Sequence, residues 1–546
     1  MQSSKSYLYF LIIVSLAGGG LVLLATSLYG AGVSSDAAKN MATAESLLAG
    51  RGFFDHTGGA LVYWPPLYPI LLAGLSLVTG LDVFVAGWFL NLLVMVVNVY
   101  LAGRLIFEAL REKPLYAYLG ALFVVGSESA LRIHANISSD PLYITFSLVF
   151  LLAANRYMEI RSSDALWVMI VSAALAMLQR WLGASLLAMG GLVILVARWR
   201  DWRSILRDGL LISLSLLPVG SWIYFHNILR YHTFWGVDTP IVDPWMNFQF
   251  SLTKMMHWFL PYHPRLEIVL FNPLIVLGIF SLLLILIARR GDWTEWWRTL
   301  CGANVFPLVF FLPLSLIGLA LTVVTSDHLD PYSDRYYIGF LASVIVLLFI
   351  TFDTLVLPRL RVDLGKSRSV LAALFGIWFL VYPSFSLYKY ISVSMANGET
   401  SNYNYYNNRT FRENPAIPVI QELVAEHPDA YFYSNYADGL WFYTRHASPL
   451  MPRSSLDMNL ADIEKNYAGW PADKPGYILW FLPNEFKHVV PPEILAKFAD
   501  VELVFTSDQG LIYSVQALNQ YISLESLGRS LTCSRCAKTL LSSSSG

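Results

Sequence analysis

Windows of about 20 almost wholly apolar residues recur along this 546-residue chain, each long enough to cross roughly 30 Å of hydrocarbon. In that medium every backbone N–H and C=O must find its partner within the protein, so these windows can fold only as helices. Charged residues make up 14% of the chain and hydrophobic ones 56%, whereas a soluble domain carries about a quarter charged. The chain therefore reads as a polytopic α-helical membrane protein. Its net charge of -1 and the lack of a basic face exclude nucleic acid as a partner.

Cations set the orientation. Arg104, Arg111 and Lys113, then Arg156 and Arg161, then Arg198, Arg200, Arg203 and Arg207 fall between apolar runs at regular intervals. Arg289, Arg290 and Arg298, followed by Arg359, Arg361, Lys366 and Arg368, continue the rhythm. The positive-inside bias places these clusters and Lys5 in the cytoplasm. The alternate loops, which hold few cations, then face outward. Spans are expected near 7–29, 83–103, 115–130, 140–157, 164–179, 182–197, 207–229, 267–288, 304–325, 337–356 and 370–389, about 11 transmembrane helices. The first run is too long for the apolar part of a secretory signal, and we read it as a retained helix. Leu67–Val78 is too short to cross and is expected to lie in the interface or re-enter.

Four further regions follow from this reading. Residues 1–390 form the membrane domain, with residues 31–82 as its first outer loop and interfacial helices. Residues 391–412, which include the Asn/Tyr-rich stretch Asn402–Asn408, form a linker. Residues 413–517 alternate short apolar runs with helical pieces, the pattern of a small α/β domain on the outer side. Residues 518–546 read as a flexible tail in which Cys533 and Cys536 are a disulfide or bystander thiols, since a structural zinc site needs four ligands. Asn136-Ile137-Ser138 and Asn408-Arg409-Thr410 fit the N-glycosylation pattern, a match too common to decide anything.

The candidate chemistry gathers at the outer ends of the helices. Asp36 follows the first span in Ser34-Ser35-Asp36, where it can cap a helix or act as a catalytic acid or base. Ala37, Met41, Ala44 and Leu48 share one face of that helix, and Asp36, Lys39, Asn40 and Thr43 share another. The pattern predicts a helix on the outer leaflet with its polar side lining a cavity. In Tyr63-Trp64-Pro65-Pro66-Leu67-Tyr68-Pro69, aromatics suited to headgroup depth flank a rigid kink. Asp140, in Ser138-Ser139-Asp140-Pro141, starts the fourth span on the same side, again as a cap or a second catalytic carboxylate. Arg180 and Arg335 lie on that side too, and a guanidinium suits bidentate phosphate binding. Their bland alternatives are a snorkelling side chain for Arg180 and pairing with Asp330 or Asp334 for Arg335.

These motifs, in order, resemble the GT-C membrane glycosyltransferases, in particular the protein mannosyltransferase and aminoarabinose transferase superfamily of glycosyltransferase family 39 type. The resemblance rests on Asp36 with Ala42, Leu48, Gly50 and Gly52, then Pro65-Pro66-Leu67-Tyr68-Pro69, and on Asp140-Pro141-Leu142. Gln179-Arg180-Trp181-Leu182-Gly183 and Asp334-Arg335-Tyr336-Tyr337 complete it, and it covers residues 7–390.

The resemblance implies transfer of a hexose or pentose from a polyprenyl-phosphate-linked donor to a lipid, glycan or protein acceptor at the outer face of a bacterial cytoplasmic membrane. Asp36 and Asp140 would be the catalytic carboxylates. Arg180, Arg335 and Tyr336 would hold the donor phosphate. Lys39, Asn40, His56, Tyr63, Pro65 and Tyr68 would line the acceptor and lipid groove. The sequence fixes no cofactor, metal dependence stays open, and two carboxylates leave a place for a divalent cation such as magnesium or manganese. The protein mannosyltransferases carry Asp-Glu in the first loop, whereas Ala37 follows Asp36 here, which argues against protein mannosylation. The alternative, a lipid or glycan transporter or flippase with an outer accessory domain, calls for ionisable groups near mid-membrane, and few are present.

Overall fold

The computed structural model describes residues 2–234, 253, 255–259, 273–324, 334–359, 367–398, 400, 406–452, 470–471, 475–482, 489–497 and 499–517. Cys533, Cys536, Asp330 and the tail from 518 onward lie outside the described residues. The chain divides into two compact units, Met1–Glu413 and Asn414–Gly546.

The first unit is helical. Helices α1 (Gln2–Ala25), α2 (Ser35–Leu48), α3 (Leu67–Thr79), α4 (Val83–Ala109), α5 (Pro114–Gly126) and α6 (Glu128–His134) come first. They are followed by α7 (Asp140–Ile160), α8 (Ser163–Gln179) and α9 (Ala184–Ala197). The apolar sequence is buried where helices meet: α1 packs on α4, α4 on α7, and α7 on α8. Val22, Phe123, Phe150, Phe311, Phe340 and Phe349 are fully enclosed in one continuous core.

Three helices among the described residues are long and apolar enough to cross a membrane: Lys5–Ala25, Val83–Ala109 and Ile338–Val356. The expected spans at 115–130 and 207–229 are each broken. The first bends by 48° at Ser127, because the Ser127 hydroxyl accepts from the Ala130 N–H and caps a new helix there. The second bends by 41° between Trp202–Ser213 and Leu216–Tyr231. Helix α3 has 13 residues and ends on Gly80 at φ +71°. It is about 20 Å long by helical rise, short of the hydrocarbon thickness.

A buried polar network joins three of these helices. Asn98 on α4 donates to the Pro141 carbonyl at 2.9 Å and accepts from Thr145 on α7 at 2.7 Å. His134 on α6 gives its Nδ1 proton to the Ala130 carbonyl at 2.7 Å, so its Nε2 is left to accept from Asn98 at 3.0 Å. Satisfied polar groups of this kind fix the helices in one arrangement where lipid offers no alternative partner.

The second unit carries a four-stranded sheet, β1 (Tyr431–Ser434), β2 (Gly476–Phe481), β3 (Ala499–Thr506) and β4 (Gly510–Ala517), in the order β1-β2-β4-β3. Strands β1 and β2 run parallel and the other pairs antiparallel, with an irregularity between Leu503 and Phe505. Ile478, Trp480, Leu495 and Val515 fill its core. Trp441–Tyr443, an apolar piece of the expected α/β pattern, falls in the helix Ala437–Thr444.

Candidate active site

Asp36 and Asp140 are more than 100 positions apart in sequence, and a single backbone feature brings their loops together. The Gly32 N–H donates to the Ala135 carbonyl at 2.9 Å, and the Ile137 N–H donates to the Gly32 carbonyl at 3.0 Å. This makes a parallel bridge between Gly32 and Asn136. Each bridging residue stands four positions before its carboxylate, so both loops present their acids just beyond the same clasp. Any side chain at Gly32 would run into the Asn136 amide and the Thr400 hydroxyl. Asn136 is itself held from both sides. Its Nδ2 donates to the Arg132 and Thr400 carbonyls at 2.6 and 3.2 Å, and its Oδ1 accepts from Thr400 at 2.7 Å. Asn407 adds a further tie by donating to the carbonyls of Tyr29 and Ala31.

Neither acid serves as a helix cap. On α2 the cap is Ser34, whose hydroxyl accepts from the Ala37 N–H at 3.3 Å, with Asp36 in the first turn. Its carboxylate faces Arg335 instead, with Oδ2 2.5 Å from Nη1, and both side chains are about a third exposed or less (32% and 26%). Asp140 opens α7 without capping it. It is paired with Arg180, and its Oδ2 accepts from the Ser138 hydroxyl at 2.6 Å. At 3% exposure this carboxylate is sealed, unlike that of Asp36.

Two guanidiniums share one aromatic ring. The Arg335 guanidinium lies 4.9 Å and that of Arg180 5.4 Å from the centre of Tyr336. Arg335 Nη2 also donates to the Tyr336 hydroxyl at 2.7 Å. The Arg180 backbone is extended (φ -153°, ψ 144°), which breaks the helix between α8 and the turn Trp181–Gly183. That turn sits directly on α8: a Cβ at Gly183 would come within 2.5 Å of backbone atoms of Ala176 and Met177. Glycine is therefore required for the close approach that aims Arg180. Gln179 braces the same corner by donating to the Ser139 carbonyl at 3.0 Å.

Electrostatics follow from this crowding. Burial opposes the negative charge of Asp36, but Arg335, Lys39 and Arg180 together outweigh it and hold the carboxyl below its ordinary 3.8. Arg180 is lowered to about 10, first by burial and then by the neighbouring Arg335. Three cations thus meet two carboxylates, leaving one net positive charge.

The residues expected to line a groove divide into two groups. Lys39 is half-buried, with its ammonium 4.9 Å over the Trp64 ring, and Tyr63 is exposed. The Tyr63 carbonyl accepts from Trp181 Nε1 at 2.9 Å, which ties this loop to the Arg180 corner. Asn40, His56, Pro65 and Tyr68 are buried. Asn40 donates to the Asp36 carbonyl at 2.7 Å, and Tyr68 faces Asn91 at 3.5 Å. Much of helix α2 is likewise covered by protein: Ala37, Met41 and Ala44 are fully buried, and Asn40 and Thr43 on the expected polar side are buried too, whereas Asp36 and Lys39 are part-exposed. Small side chains allow that close packing, which an open leaflet position would not use.

Among the described residues, no three His, Cys, Asp or Glu side chains converge as metal ligands. Asp36 and Asp140 are each engaged by a guanidinium, so the donor set does not form a dedicated cation cage. The sequence reading missed Trp64, Trp181, Asn136 and Thr400 as supports of the site. Trp64 and Trp181 stood inside the quoted motifs, and Asn136 stood inside a glycosylation pattern that drew attention to the wrong chemistry.

No protein-family model matches the chain, and no curated protein matches it. Solved structures do. The chain is similar to ArnT, an aminoarabinose transferase, from Cupriavidus metallidurans bound to undecaprenyl phosphate, with a TM-score of 0.55 at 12% identity, over 93% of this chain and 98% of that one. The apo state of the same enzyme gives a TM-score of 0.54 at 13% identity, over 94% and 98%. Arabinosyltransferase EmbB from Mycobacterium smegmatis gives 0.41 at 12% identity, over 70% of this chain and 40% of that one. The chain has the fold of the GT-C membrane glycosyltransferases, the class its ordered motifs resemble.

Proposed function

We propose that this protein transfers a sugar from a polyprenyl-phosphate-linked donor to an acceptor hydroxyl or amine, at the membrane face where Asp36 and Asp140 lie. The reading takes that face as the outer one and the chain as an integral membrane protein of about 11 crossings. The observation that carries it is a part-exposed carboxylate, Asp36, paired with Arg335, whose guanidinium shares the Tyr336 ring with that of Arg180. ArnT, whose fold this chain shares, was captured with undecaprenyl phosphate, which supports the donor class.

In this mechanism Asp36 takes the proton from the acceptor. The acceptor atom forms a bond to the anomeric carbon as the bond from that carbon to the phosphate oxygen breaks. The electron pair leaves with the polyprenyl phosphate. Arg180 and Arg335 stabilise the negative charge that develops there, in a site where solvent screening is weak. Asp140, sealed against Arg180, orients that guanidinium. Lys39 and Tyr63 border the groove through which the lipid enters. Sugar and acceptor follow from groups beyond these residues.

The test is direct. Lipids that co-purify with the full chain in mild detergent are identified by mass spectrometry, and the donor found is supplied to proteoliposomes. The reading requires a polyprenyl-phosphate sugar to co-purify and its sugar to be transferred. A chain that binds no polyprenyl phosphate, or that moves the lipid across the bilayer without transfer, overturns it.

A further inference from the structure

A second gathering of arginines stands at the ends of the helices remote from Asp140, where the transfer chemistry has no use for it. Tyr157 on α7 lies about 25 Å from Asp140 by helical rise. Helix α8 then returns to Arg180, and α9 leads away again to Arg198 and into helix α10 (Trp202–Ser213). A buried acid organises this corner. Asp208 accepts from the Tyr157 hydroxyl and, at 2.8 Å, from Arg207 Nε, and Arg198 Nε lies 3.5 Å from it. Arg198 also donates to the Arg161 carbonyl at 3.3 Å and sits over the Tyr157 ring. One carboxylate cannot neutralise two guanidiniums, and the Arg207 side chain is 64% exposed. Arg200 and Arg203 are exposed as well, the latter 5.7 Å from the centre of the exposed Trp202 ring. The remaining acid, Asp201, is engaged by Ser204 as the cap of α10. Residues 198–208 hold four arginines and two aspartates, a net charge of +2.

An apolar row runs on from these cations. Trp202, Leu206 and Leu210 follow at four-residue spacing, so they lie one above another on α10, and all three are exposed. Arg203 and Arg207 form the adjoining row at the same spacing. A soluble anion would meet the charge and leave the apolar row uncovered, and a neutral lipid would cover the row and leave the charge unmatched. We propose that this corner binds an anionic phospholipid of the leaflet opposite the Asp36 face. Arg200, Arg203 and Arg207 hold its phosphate, and an acyl chain lies along Trp202, Leu206 and Leu210. Trp202 takes the headgroup depth that suits an amphipathic ring. Because Asp208 ties α10 to Arg198 and to Tyr157 on α7, a lipid held here clamps the ends of α7, α9 and α10 to one another. The site is separate from the transfer chemistry, and its test does not depend on that reading.

The full chain in mild detergent is mixed with equal amounts of phosphatidylglycerol and phosphatidylcholine of identical acyl chains, and the adducts are counted by native mass spectrometry. A preference for phosphatidylglycerol is expected, falling about 25-fold in Arg200→Gln/Arg203→Gln, or about fivefold for each arginine removed. Both side chains are exposed, so the lipid-free thermal midpoint of the variant should match that of the parent. Arg104→Gln/Arg111→Gln removes the same charge at the end of α4 and should keep the preference. Phosphatidylglycerol with a photoreactive acyl chain gives a measurement on the parent alone and should crosslink to the peptide that carries Leu206 and Leu210. The proposal is overturned if the parent does not prefer phosphatidylglycerol, if the control loses as much preference as the Arg200/Arg203 variant, or if crosslinks fall only on other peptides.

Discussion

Arg335 Nη1 rests 2.5 Å from Oδ2 of Asp36, joining residues 299 positions apart. The contact ties the start of the chain's first long loop to the turn that precedes the helix Leu341–Thr351. It also sets the Asp36 carboxylate among the cations Arg335, Lys39 and Arg180.

Asp36→Asn removes the proposed proton acceptor while keeping the shape of the side chain. Transfer in proteoliposomes should fall by about 10²–10⁴-fold, the usual contribution of a positioned general base. Donor binding should fall little, because both arginines remain. Retention of full transfer would falsify the catalytic role and leave Asp36 as a partner for Arg335 alone.

Asp140→Asn acts differently. It leaves the Arg180 guanidinium largely buried without its carboxylate, a loss that costs about 3 kcal/mol in enclosed pairs. A lower thermal midpoint in detergent is expected, together with weaker binding of undecaprenyl phosphate. If the midpoint is unchanged and only turnover falls, Asp140 is itself a reacting group.

Gly183→Ala tests the corner that aims Arg180. The new methyl would meet the α8 backbone at 2.5 Å, and backbone cannot rotate away as a side chain can. Overpacking of this kind costs about 1–3 kcal/mol. The variant should lose both stability and phosphate binding, whereas Gly191→Ala, at a position with open space around it, should lose neither.

The pH dependence has a definite sign. Asp36 has a folded-state value below its ordinary 3.8. The stability contributed by its pairing is therefore fully present above 3.8 and is lost as pH falls through the lower folded value. Arg335→Gln removes the first of the cations that oppose burial, so the protonation midpoint of Asp36 should move upward. Carbon-detected NMR of labelled Asp36, or the acid limb of transfer against pH, would show the shift, and a downward or absent shift would contradict it.

Much of the site could be read from sequence because charge is scarce there. In a chain this apolar, Asp36, Asp140, Arg180 and Arg335 stand out at the ends of hydrophobic runs, where an ionised group is costly without a purpose. Which acid faces which arginine could not be read, since the choice depends on helices brought together from distant segments. Asp36 could equally have been a cap, Arg180 a snorkelling side chain and Arg335 a partner of Asp330 or Asp334. The surroundings of the helix that carries Asp36 could not be read for a related reason. Amphipathic spacing in Ser35–Leu48 marks two faces but does not say what covers them, and here protein covers most of both while Asp36 and Lys39 stay part-exposed. The bends at Ser127 and near Leu214 were hidden because apolar composition continues through them. Asn91 and Asn98, polar residues inside an apolar helix, were the available signal for the buried network and for the support beneath Tyr68.

The clasp around Gly32 has a consequence for how the protein is made. Asn136 waits for Thr400, 264 positions downstream, and Tyr390 adds a hydroxyl bond to the same Thr400 carbonyl. During synthesis Asp36, Asp140, Arg180 and Arg335 all emerge before the residue that locks their loops. A chain ended just short of Thr400 would possess every proposed reacting group and lack the final stitch. The clasp at Gly32 is thus complete only after Thr400 has been synthesised and returned to Asn136.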